Sequence, residues 1–139
     1  MFRDEKKLVE TPMIPISLGE LFDKITILEI KLEQITNKRA LKNVNREYNL
    51  LLAIYKKDFS GNNGANQLMI KLKLINQKLW KIEDKIRDKE KNKLFDSEFI
   101  ELARSVYIIN DERSRIKREI NNTLKSDLVE EKSYSNYYD

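Results

Sequence analysis

The sequence predicts an all-α protein: an antiparallel helical bundle of two helical hairpins, built from four long heptad-patterned helices and pairing as a homodimer. Three observations predict it. Leucine and isoleucine recur at alternating spacings of three and four, the rhythm of a helix that hides one edge. Residues that cap helices stand where such stripes begin, and the prolines and a Gly–Asn cluster fall between the stripes.

Residues 1–16 read as an N-terminal arm, because Pro12 and Pro15 fix φ and lack the N–H that a helix needs. Ser17-Leu18-Gly19-Glu20 then has the form of a capping box, with Ile16 stapled to Leu21. The first helix carries the stripe Leu18, Leu21, Ile25, Leu28, Leu32 and Ile35. Phe22, Ile27 and Ile30 lie off it, so this helix either sits centrally or faces a second chain, and these three are candidate interface residues. The register breaks at Thr36-Asn37, where Asn37 can cap a second helix with the stripe Leu41, Val44, Tyr48, Leu51 and Tyr55, running to about Lys57. The segment from Phe59 to Gly64 reads as a loop that reverses the chain.

The third helix repeats the rhythm with Leu68, Leu72, Ile75, Leu79, Ile82 and Ile86, and it ends in lysines that suit a helix C-terminus. After Leu94-Phe95, Asp96 can cap a fourth helix, with Phe95 stapled to Ile100 and the stripe Phe99, Leu102, Val106, Ile109, Arg113, Ile116 and Ile120. The bundle thus occupies residues 17–124. Residues 125–139 form a C-terminal tail without periodicity that holds three of the six tyrosines. Short connections favour antiparallel neighbours.

Composition excludes several chemistries. With no cysteine and no histidine, there is no thiolate nucleophile, disulfide, Cys-based metal site or His-centred triad. The three glycines fit no phosphate-binding loop, so no cofactor is expected. Lys plus Arg number 27 against 23 acidic residues, an excess of +4 that is small and interspersed, and nucleic acid is the least favoured partner. The basic face Lys71, Lys73, Lys78, Lys81 and Lys85 has no interleaved aromatic and reads as solvated. No apolar run is long enough to span a bilayer and the N-terminus is charged, so the cytoplasm is the expected location.

Four constellations remain. Glu20 with Asp23, and Glu98 with Glu101, have the spacing of Mg²⁺-binding carboxylates, but in a chain that is 36% charged such pairs also arise by chance, and no metal site is predicted. Arg113 stands at a heptad core position and needs an anionic partner. That partner is either a carboxylate from another helix (Glu29, Glu33 or Glu83) fixing register, or a bound anion held with Lys24, Glu29, Arg104 and Asn110 in an interior pocket. Trp80, one position off the third stripe, is an interface anchor or a rim residue of the core. The tail, with Tyr134, docks into a partner, covers a groove of its own bundle, or stays disordered.

Taken together, residues 17–33, 79–87 (LWKIEDKIR), 103–111 (ARSVYIIND) and 129–134 (VEEKSY) give the chain a likeness. It resembles a family of short bacterial and phage proteins with a domain of unknown function, over about residues 13 to 134. The resemblance carries no catalytic motif, and it implies a setting among surface-glycan biosynthesis genes. The expected function is a helical interaction or accessory module with a protein partner; the alternative is a small-anion-binding protein or enzyme built on the interior pocket.

Overall fold

The computed structural model describes residues 9–137; the first eight residues of the expected arm, and Tyr138 and Asp139 of the tail, lie outside them. Four helices follow in order: α1 Leu18–Gln34, α2 Lys38–Phe59, α3 Asn63–Lys91 and α4 Ser97–Thr123. There is no strand among the described residues. Each helix starts with the same device, a side-chain oxygen accepting an otherwise orphaned amide: Ser17 Oγ from Glu20 N at 3.2 Å, Asn37 Oδ1 from Ala40 N at 2.9 Å, Asn62 Oδ1 from Ala65 N at 3.0 Å, and Asp96 Oδ1 from Phe99 N at 2.9 Å. Asn62 starts α3 inside the segment read as loop, which shrinks to a turn around Gly61 at φ +80°. The capping box of α1 is only half made. Glu20 does not reach back to the cap, because Lys117 Nζ of α4 holds its carboxylate at 2.9 Å.

α1 is the central helix and packs against α2, α3 and α4. That explains its apolar residues outside the main stripe. Phe22 is fully buried in the chain's own core, edge-on to Tyr55 at 5.2 Å and Phe59 at 5.5 Å between ring centroids. This corrects the expectation that Phe22 meets a second chain, since α2 already covers it. Ile30 is likewise buried.

α3 and α4 form the second hairpin. Their 29 and 27 residues make rods of about 40 Å or more, against about 25 Å for the 17 residues of α1. The hairpin therefore outruns the helix it packs on. Its fully buried residues stop at Asn76 on α3 and resume at Ile116 on α4; between them Leu79, Ile82, Ile86, Leu102, Val106 and Ile109 are only half-covered. At the far end Lys93 takes a left-handed conformation, φ +56°, and the amide of Leu94 closes the turn on the Lys89 carbonyl at 2.9 Å. Phe95 packs edge-on to Phe99 at 5.3 Å, and Leu94, Phe95 and Ile100 are exposed.

Candidate functional site

The i, i+3 spacing of Asp23 and Thr26 puts both on one face of α1, where α3 and α4 meet it. The Asp23 side chain is 2% exposed, yet every polar edge of it is answered. Arg113 of α4 donates from Nε to Oδ1 at 2.9 Å and from Nη2 to Oδ2, a two-pronged grip. Asn76 Nδ2 of α3 donates to Asp23 Oδ1 and to Thr26 Oγ1, each at 2.9 Å, and the Thr26 hydroxyl donates to the Asp23 carbonyl at 2.9 Å. Lys117 Nζ stands 3.7 Å from Oδ2. Burial pushes the Asp23 carboxyl up, but the bonds and charges of Arg113, Asn76 and Lys117 outweigh it, and the net direction is down. Asp23 in turn raises Arg113 against its own desolvation.

Arg113 thus has the interhelical carboxylate expected of a core arginine, but it is Asp23 rather than Glu29, Glu33 or Glu83. Those three are held elsewhere. Lys73 Nζ takes Glu29 at 3.1 Å and Glu33 at 2.7 Å, Tyr48 Oη donates to Glu29 at 3.4 Å, and Glu83 pairs with Arg87 at 3.4 Å within α3.

Beside this cluster runs an open groove of about 430 Å³ between α1 and the α3–α4 hairpin. Ile27, Ile30, Leu79, Trp80 and Val106 line its apolar length; Asn76, Asn110 and Arg113 close one end, with Asn110 Oδ1 accepting from Arg113 Nη1 at 3.2 Å. Glu83, Asp84 and Arg87 form the rim on α3. Five residues singled out from the sequence for three separate reasons, Ile27 and Ile30, Trp80, and Asn110 and Arg113, therefore share one concavity. Three others do not join them. Lys24 is exposed and lies 3.7 Å from Glu20, Glu29 faces Lys73, and Arg104 is exposed on α4. The interior anion pocket of the sequence reading is not assembled from its five residues, since the helical positions that carry them point in different directions and Asp23 fills the place at Arg113.

The same approach of α1 to α4 depends on residues that sequence reasoning passed over. Gly19 N donates to Asn121 Oδ1 at 2.7 Å, and a Cβ there would stand 2.6 Å from the Lys117 carbonyl oxygen. Of the carboxylate pairs, Glu20 and Asp23 share Lys117, and Glu98 is 3.1 Å from Lys89. No group of three or more His, Cys, Asp or Glu able to hold a metal occurs among the described residues. The basic face is partly spent as well, with Lys71 on Glu119 at 3.1 Å.

Beyond α4 the chain turns at Lys125, φ +55°, with Ser126 N donating to the Asn121 carbonyl at 2.8 Å. Ser126 Oγ accepts the amide of Leu18 at 3.0 Å, so the turn also caps α1. The tail then runs back along α4. Glu130 lies 3.7 Å from Lys117, Glu131 2.5 Å from Arg118, and Tyr137 donates its hydroxyl to Asp111 at 2.6 Å while its ring meets Tyr107 edge-on at 5.1 Å. Tyr134 is exposed, with Lys132 Nζ 5.9 Å from its ring centre.

No helix among the described residues is long and apolar enough to cross a membrane. Neither a search of curated proteins nor one of solved structures found a match. A family model does match, over residues 13–138, a span that holds all four helices, the groove and the returning tail; the chain belongs to the family of unknown function DUF6165.

Proposed function

We propose that this protein is a helical interaction module that works as a homodimer in the cytoplasm and presents its hairpin end and tail to a protein partner. Residues 17–124 act as the interaction domain and 125–139 as its appendage. The observation that carries the reading is the groove: an apolar channel of about 430 Å³ around Trp80 that the chain's own helices leave open, continuous with a hairpin whose seam is half-covered. The charged groups beside it are bound to one another, Asp23 to Arg113 and Glu83 to Arg87, which favours a docking surface over a reaction centre.

A second copy is the occupant that fits. Along the α3 rim the charges run Asp84, then Arg87 one turn on. An antiparallel approach about a twofold axis between them sets the Asp84 of each copy against the Arg87 of the other and lays the last turns of each α3, near Lys91, over the Trp80 of the other's groove; a twofold interface must be self-complementary in this way. A cysteine-free chain also needs no oxidising compartment.

Light scattering at micromolar concentration should give twice the 16.6 kDa chain mass. Trp80→Lys should give the monomer mass with an unchanged helical circular dichroism spectrum, Asp84→Arg should weaken the dimer, and Asp84→Arg with Arg87→Asp should restore it. A monomeric wild type, or a dimer indifferent to Trp80→Lys, would overturn the reading.

A further inference from the structure

We propose that the cavity between α4 and the returning tail is a binding site for a small phosphate-class oxyanion, held shut by the chain's own Glu130 and Glu131. The cavity measures about 150 Å³, room for an ion of phosphate or pyrophosphate size. Four cations line it, Arg115, Lys117 and Arg118 from α4 and Lys132 from the tail, against the single carboxylate of Glu130, with the side chains of Ser114 and Asn121 completing the wall. Lys117 is built into the fold: its side chain is 9% exposed and is braced from behind by Glu20 and Asp23.

The tail supplies the anions that this wall holds. Glu130 and Glu131 sit on Lys117 and Arg118, on a segment that has neither helix nor strand and whose side chains from Asp127 onward are exposed. Lys132 at 2.6 Å from Glu130 shows the same preference on the other wall, and holds the Glu130 carboxyl below its ordinary range. A multiply charged oxyanion can bond several of these cations at once, as arginine and lysine bind phosphate elsewhere. Two separate carboxylates on a segment without helix or strand are the weaker ligand, because each must be held in place at the expense of chain entropy. The tail can yield without loosening the bundle, since Ser126 stays pinned to Leu18 and Asn121 while the residues after it swing away on release of Glu130, Glu131 and the exposed Tyr137–Asp111 contact. The site shares no lining residue with the groove, so it stands whether or not the groove joins two copies.

The test is calorimetric titration of the full chain with pyrophosphate at low salt and neutral pH. Wild type should bind weakly; Glu130→Gln with Glu131→Gln should bind about tenfold more tightly, the scale of a lost charge-assisted competitor; and Arg115→Gln with Arg118→Gln should abolish binding. All four residues are exposed, and circular dichroism should show the fold unchanged. No binding to either wild type or the glutamine pair at Glu130 and Glu131, or one affinity in all three proteins, would overturn the proposal. Sedimentation with phosphatidic acid vesicles separates the source: a free anion predicts no co-sedimentation, whereas vesicle binding that pyrophosphate does not displace would assign the chemistry to a lipid surface and overturn the small-ion site.

Discussion

Replacing Arg113 with methionine should destabilise the fold more than replacing its partner Asp23 with leucine, even though both changes break the same ion pair. The difference follows from exposure. The Asp23 side chain is 2% exposed and that of Arg113 27%. Removing Arg113 leaves a carboxylate almost cut off from water, with Asn76 at 2.9 Å and Lys117 at 3.7 Å as its remaining partners, so the loss should sit near the lower end of a broken buried pair, about 3 kcal/mol. Removing Asp23 leaves a guanidinium that water reaches and that Glu20 and Glu130 still attract, and about 2 kcal/mol is the expected loss. The double variant, Asp23→Leu with Arg113→Met, should recover most of both. Asn76 Nδ2 would keep Thr26 Oγ1 at 2.9 Å and Lys117 would keep Glu20 at 2.9 Å, so no charge or amide is stranded. Urea unfolding followed by circular dichroism measures all four proteins; at roughly 3 °C per kcal/mol for a chain of this length, Arg113→Met should also melt about 10 °C lower. If Arg113→Met stays within about 1 kcal/mol of wild type, or the double variant is no more stable than Arg113→Met, the pair does not hold α1 to α4 in the way described.

Two further outcomes rest on the same junction. Gly19→Ala should lower stability by about 1–3 kcal/mol, the range for overpacking, because its Cβ would meet backbone at Lys117 O, 2.6 Å away, and spread α1 from α4; Gly64→Ala, with nothing nearer than 3.4 Å, is the control that should be neutral or slightly stabilising in the same melts. The Asp23 carboxyl titrates below its ordinary 3.8 in the folded chain, so its contribution is complete above that value and is lost as pH falls through the lower folded pKa. Asp23→Asn should therefore flatten the fall in unfolding free energy below about pH 4, and an unchanged acid limb would refute the assignment.

What the sequence showed and what it hid divide along physical lines. Capping is local chemistry, and Ser17, Asn37 and Asp96 could each be named from three or four neighbouring residues. The heptad stripes are local too, and Leu72, Ile75, Ile116 and Ile120 are buried where their spacing put them. Arg113 was marked by being a charge in a stripe, which states that a partner is needed without stating which one. Choosing Asp23 over Glu29 requires knowing how α1 crosses α4, and that is fixed by a close approach at Gly19 rather than by any periodicity. A signal for it existed in a second rhythm on α1, Gly19, Asp23, Thr26 and Ile30, spaced four, three and four. It escapes a search for apolar stripes because three of the four, Gly19, Asp23 and Thr26, are small or polar. A helix enclosed on several sides must be small where a neighbour's backbone comes near and polar where a neighbour brings a buried charge, so the hydrophobic pattern records only the contacts in which both sides are apolar. The groove was legible only in pieces for a related reason: Ile27, Trp80 and Arg113 stood out one by one as departures from their stripes, and it is the crossing at Gly19 that gathers the departures of three helices into one place.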